Sequence, residues 1–206
     1  MKKLVVAVLA VFCFAPAVMA EGWGVGVKLG GGENDPKDLQ RTYDHYFGNK
    51  EIDKVAGYFS LEVLHEWSLN NEANKLGLKV GWDIYGENVL KAKSTHEELK
   101  EDTYAFPFTV YYKRDNGVKN FSWFAGAGVT IIRSKLVYKG ASYWNYDTKK
   151  TKVFPHITLG TEYRFTEVFA LGLDARYNFS AKVKNDSWIL SDRSGFGAAL
   201  TGRFYF

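Results

Sequence analysis

Alternation with period two, recurring from residue 22 to the last residue, is the feature that most limits what the chain can become. Eight stretches put apolar or aromatic side chains at every second position and polar residues or glycine between them. That is the pattern of strands whose two faces meet different surroundings. In 76–85, Leu76, Leu78, Val80, Trp82 and Ile84 alternate with Gly77, Lys79, Gly81, Asp83 and Tyr85. The other stretches fall at 22–30, 57–67, 104–113, 121–131, 153–165, 171–179 and 196–206. With 46% hydrophobic residues, 17% aromatic residues, 20 Gly and only 4 Pro, disorder and collagen-like repeats are excluded.

A soluble β-sandwich also alternates, so the contents of the two faces must choose the solvent. One face carries Lys28, Glu62, Glu66, Lys79, Asp83, Lys113, Glu162, Arg164, Asp174, Arg176 and Arg203 among many glycines, while the other is nearly uncharged. A soluble barrel turns its charges outward. Here the strand lengths lie near the roughly 9–11 residues that a tilted strand needs to cross a bilayer, which favours the reverse arrangement. Trp67, Tyr112, Trp123, Tyr163, Phe165 and Phe206 fall at strand ends that share one side if the chain runs up and down, as an aromatic girdle would. Connections alternate between long (31–54, 86–102, 133–152, 180–194) and short (68–75, 114–120, 166–168). The expected fold is all-β: an eight-stranded antiparallel up-and-down transmembrane β-barrel with both termini on the short-turn side.

At the N-terminus, Lys2 and Lys3 precede an apolar run at 4–14, and Val18 and Ala20 supply small residues before a break at Glu21. Residues 1–20 read as a cleaved signal peptide and 21–206 as one barrel domain. Cleavage removes Lys2, Lys3 and the single cysteine, Cys13, so the net charge falls from +4 to +2. The mature chain then has no disulfide and no thiolate, and its charge gives no support to nucleic-acid binding.

The segments Trp123-Phe124-Ala125-Gly126-Ala127-Gly128-Val129, Leu159-Gly160-Thr161-Glu162-Tyr163-Arg164-Phe165 and Arg203-Phe204-Tyr205-Phe206 resemble the small outer-membrane β-barrel family that includes the OmpA transmembrane domain and OmpX. The resemblance covers essentially all of 21–206 as a pattern. It implies a place in the cell outer membrane of a Gram-negative bacterium, among lipids that include lipopolysaccharide. It also implies insertion by the barrel-assembly machinery, for which Phe204 and Phe206 look like the terminal signal. The glycine preferred five residues before the end is Thr201 here, with Gly202 beside it. The family has no shared catalytic residues or cofactor to carry over, and the peptidoglycan-tethering role of full-length OmpA proteins is not implied.

Five inward acidic residues against six basic ones should pair in a narrow lumen, because each alone would be strongly destabilising there. A structural ion-pair plug is expected, with an ion-conducting lumen as the alternative. Its expected centre is Glu162 and Arg164 beside Asp174 and Arg176, joined by bidentate bonds. Of the four histidines, His45 and His96 lie in polar loops and His65 sits on the lipid-facing parity near the short-turn rim. Only His156 points into the lumen, where a carboxylate could partner it. No serine motif accompanies it, so the chain reads as no enzyme, and no histidine spacing suggests a metal or cofactor site.

The loop at 134–152 carries Tyr138, Tyr143, Trp144 and Tyr146 among Lys135, Lys139, Lys149 and Lys150. This mixture suits contact with protein, glycan or lipopolysaccharide, or is simply a solvated hairpin extension. The charge run at 97–102 reads as solvated loop. The expected function is a monomeric structural or surface-interaction protein acting through its long loops. The alternative is a small porin that passes ions or small solutes.

Overall fold

The computed structural model describes residues 22–33, 55–69, 73–86, 88–91, 98–116, 120–139, 145–185 and 188–206. The strands are β1 (Trp23–Glu33), β2 (Val55–Ser68), β3 (Asn74–Tyr85), β4 (Asn88–Lys91), β5 (Glu98–Asp115), β6 (Phe121–Lys139), β7 (Asn145–Arg164), β8 (Phe169–Asn178), β9 (Lys182–Asn185), β10 (Trp188–Asp192) and β11 (Gly195–Tyr205). Eight of them, β1, β2, β3, β5, β6, β7, β8 and β11, pair antiparallel in that order, and the β1–β11 ladder closes the ring. Closure leaves the barrel no open edge. β4 lies alongside the outer end of β5, and β9 with β10 forms a separate hairpin.

The pleat sorts side chains by chemistry, but in the opposite sense to a water-soluble protein. Leu29 and Leu173 are 66% and 62% exposed on the outer face, whereas Asp83 and Lys113 are 1% and 2% exposed inside. Charged residues this deeply buried around an apolar exterior identify hydrocarbon as the outer solvent. Along β6, the outward run from Trp123 to Ile131 covers about 27 Å of strand, or roughly 20 Å of height at the usual tilt.

At the short-turn end, outward aromatics touch one another around the rim. His65 sits between Trp23 (4.7 Å between ring centres) and Trp67 (4.4 Å). Tyr112 meets Trp123 at 5.8 Å, Tyr163 meets Phe165 at 4.8 Å, and Phe169 links Phe165 to Phe204. Amphipathic rings at this depth suit the boundary between headgroups and acyl chains.

Three of the expected loops are corrected by the strand ladders, the 180–194 connection by the pairing of β9 with β10. The 133–152 connection is mostly a β-ribbon, because β6 and β7 stay in register from Phe121↔Tyr163 out to Lys139↔Asn145. The alternation continues beyond the apolar band, with Ile132 and Ser134 buried on the inner side and Arg133 exposed on the outer. Reading strands from hydrophobicity ended them where the outward residues became polar, although the backbone pairing does not stop there. The charge run at 97–102 is likewise mostly strand from Glu98 onward, and Glu101 is buried rather than solvated.

Large inward rings are accommodated by glycines on neighbouring strands. A Cβ at Gly77 would lie 2.2 Å from the Tyr111 ring, and one at Gly160 would lie 2.3 Å from that of Phe124. Gly77→Val is therefore expected to destabilise the barrel by about 1–3 kcal/mol through overpacking. A urea titration that follows the heat-resistant, fast-migrating gel band measures it. An unchanged midpoint would mean that Tyr111 swings away at no cost.

Candidate functional site

The lumen is organised around Arg203 on β11. Across β1, Gly26 stands opposite both Arg203 and Glu62, so no side chain separates them. Arg203 Nε donates to Glu62 at 2.6 Å, Nη1 to Glu162 at 3.0 Å and Nη2 to both oxygens of Asp174 at 3.0 Å. One planar guanidinium thus binds three carboxylates. Lys28 bridges Glu62 (2.7 Å) and Asp174, and Lys79 also reaches Asp174 at 3.3 Å.

Toward the short-turn end, Lys113 joins Glu66 (3.1 Å) and Glu162 (2.7 Å). Its ammonium also donates to the Tyr205 hydroxyl at 3.0 Å, which donates onward to Glu162 at 2.7 Å. Tyr111 donates to Glu66 at 2.9 Å. Toward the other end, Arg176 pairs with Asp83 at 2.6 Å, beside Tyr85 and over the Tyr58 ring. Further out, Arg193 lies 3.5 Å from Glu101 and over the Tyr85 ring.

These residues fill the bore. The space ringed by Glu66, Lys79, Tyr111, Lys113, Phe124, Glu162 and Arg203 has no room for a water molecule. A cavity of about 20 Å³ between Lys28, Asp83, Thr158 and Arg176 holds about one. At the short-turn mouth a wider hollow of about 620 Å³ opens between Glu66, Lys75, Arg164 and Tyr205.

All eleven charges that alternation places inward line this interior, but their expected centre is displaced. Register explains why. Glu162 stands opposite Gly172, Asp174 opposite Gly160 and Arg176 opposite Thr158, so the two pairs are staggered along the axis. Arg176 reaches Asp83 across the bore instead, and Arg164 lies at the mouth over the Tyr205 ring at 4.5 Å. His156 is also not beside a carboxylate. Its Nε2 and Nδ1 each lie 2.9 Å from a hydroxyl, those of Thr109 and Thr130. That arrangement fixes a ring without activating it as a base.

Sequence reading assigned no role to the inward tyrosines or to the Glu101–Arg193 pair. Parity alone would have found Tyr85, Tyr111 and Tyr205. Arg193 lies between strands β10 and β11 and follows no alternation. Of the ribbon aromatics, Tyr138 and Tyr146 occupy directly opposed positions in β6 and β7. Tyr143, Trp144, His45, His96 and residues 1–20 lie outside the described residues.

A closed eight-strand barrel with an apolar exterior and a charged interior is a membrane architecture, and comparison with known proteins gives it a family. The model for the outer membrane protein beta-barrel domain matches residues 4–204. The chain belongs to that family. No curated protein sequence matches it. Solved structures of similar shape include Ail, the attachment invasion locus protein of Yersinia pestis, at 13% identity and TM-score 0.53, covering 90% of this chain and 99% of that one.

Neisserial surface protein A matches at 16% identity and TM-score 0.50, covering 90% and 98%. A major outer membrane protein from Thermus thermophilus matches at 11% and 0.50, covering 90% and 99%. At such identities the likeness is one of fold. This outer-membrane barrel protein is an integral protein of that membrane. In the usual orientation of the family's architecture its short turns face the periplasm and its long strand extensions the exterior.

Proposed function

We propose that this protein is a sealed outer-membrane anchor that presents its outer strand extensions for surface interaction, and that it is not an enzyme. The observation that carries the reading is the bore at Arg203, where three carboxylates close on one guanidinium, with no room for water on the Glu162 side and room for about one molecule on the Glu62 and Asp174 side. A channel needs a continuous hydrated path, and charges paired with one another across the bore oppose one. The ribbon formed by β6 and β7 carries Tyr138 and Tyr146 at opposed positions, with Tyr143 and Trp144 between them in the sequence. Aromatics beside lysines suit an anionic glycan or protein surface. Ail, of similar fold, has been solved with the heparin analogue sucrose octasulfate, which supports looking for polyanions at such surfaces. In this reading residues 1–20 are removed on export, Phe204 and Phe206 serve assembly, and the barrel acts as a monomer.

Replacing residues 138–146 by an Asn-Gly turn joins Val137 to its cross-strand partner Asp147 and removes only the tip. The shortened protein is expected to keep its heat-resistant folded form and to lose at least about ten-fold in retention on immobilised heparin, equivalent to roughly 1.4 kcal/mol. Equal retention of the two proteins would contradict the assignment of binding to the tip.

A further inference from the structure

Where the apolar outer face gives way at the extracellular end, cations gather on one side of the barrel. The last apolar outward pair on β6 and β7 is Ile131↔Val153. The next outward pairs are Arg133↔Thr151 and Lys135↔Lys149, and β5 sets Tyr104 beside Arg133 and Asp102 beside Lys135. Within about two rungs, Lys100, Arg133, Lys135 and Lys149 face outward against two carboxylates, Asp102 and Asp147. Asp147 bonds Lys135 at 3.2 Å. Lys135 and Lys149 stand directly opposite one another, an arrangement that is destabilising unless an anion lies near both. The outer ends of β1 and β11 carry Glu33 and Phe196 on their outward faces and no cation among the described side chains.

We propose that this step on the β5–β6–β7 wall docks the phosphorylated headgroup of an outer-leaflet lipid, with the acyl chains lying against Val129, Ile131, Val153 and Ile157. Three observations select a lipid as the occupant. The cations occupy the membrane-facing parity of the strands, so a molecule touching them has hydrocarbon directly beneath it. They begin one rung above the apolar face, within about 7 Å, which is headgroup depth. Tyr104, an exposed ring at the level of Arg133, is of the type that settles at the membrane boundary. A soluble polyanion would gain only the charge contacts, whereas a lipid gains both these and the apolar wall.

The test uses the folded mature barrel in detergent and native mass spectrometry, with bisphosphorylated lipid A and phosphatidylcholine as competing probes. The wild type is expected to prefer lipid A. Arg133→Gln alone should reduce that preference about five-fold, and the triple variant Arg133→Gln, Lys135→Gln, Lys149→Gln by at least about twenty-fold. Arg114→Gln, which removes an exposed charge at the short-turn end of β5, should leave it unchanged. All four positions are at the surface, and the heat-resistant gel band confirms folding of each variant. Inositol hexakisphosphate, which has the phosphates without acyl chains, is expected not to displace lipid A at equal concentration. A triple variant with wild-type preference would overturn the proposal, as would displacement by inositol hexakisphosphate.

Discussion

Arg203→Met is expected to lower the stability of the folded barrel by about 3–5 kcal/mol, because it strands Glu62, Glu162 and Asp174 in the bore with only lysines to neutralise them. Arg203 is 3% exposed and all three partners are similarly secluded, so bulk water does not take over the lost bonds. The informative comparison is Arg164→Gln. That arginine belongs to the same inward set but makes a ring contact at the periplasmic mouth, so its loss should cost less than about 1 kcal/mol. Urea unfolding in lipid vesicles, read from the heat-resistant gel band, ranks the two. Equal midpoints would mean that the network has no hub. An Arg203→Met protein that fails to fold at all still ranks below Arg164→Gln and agrees with the same ordering.

The second large effect is the appearance of conduction when the plug is removed without unbalancing charge. Lys28→Ser, Glu62→Ser, Asp174→Ser and Arg203→Ser together delete two cations and two anions from the cluster around Arg203. The remaining lysines and glutamates of the inner set, Lys79, Lys113, Glu66 and Glu162, are balanced. Four short hydroxyls then replace the long charged side chains, and water enters the space they vacate. In a planar bilayer this variant should produce discrete current steps that grow with salt concentration, whereas Arg164→Gln should produce none. A silent quadruple variant that is shown to be folded would place the seal elsewhere, with the remaining ring of Glu66, Tyr111, Lys113, Phe124 and Glu162, or Arg193 and Glu101 nearer the extracellular mouth, as the next barrier.

Which side of each strand faces the lumen was legible from alternation, and so were the ring of eight strands and the identity of the inward charges. Parity is a local property, fixed by the pleat residue by residue. The hub was not legible, because its bonds join positions such as Glu62 and Arg203, 141 residues apart, and depend on cross-strand register. Gly26 between them is the trace that register leaves in the sequence, yet it looks like any other inward glycine. The extent of β6 and β7 was hidden for a different reason. Beyond the membrane, charged residues such as Arg133, Lys135 and Lys149 take the outward positions, so alternation of hydrophobicity fades at Arg133 while the hydrogen-bonded ladder runs on to Lys139 and Asn145. Glu101 shows the same effect on β5: it sits in a charged run, but the pleat turns it inward toward Arg193.

The wild-type bore is expected to be closed, with activity on the outer surface. Single-channel recording of the refolded wild-type barrel across a salt series addresses it directly. Folded protein that inserts and stays silent at every salt concentration is the expected result. Discrete steps whose size scales with salt would contradict it and identify the protein as a small channel.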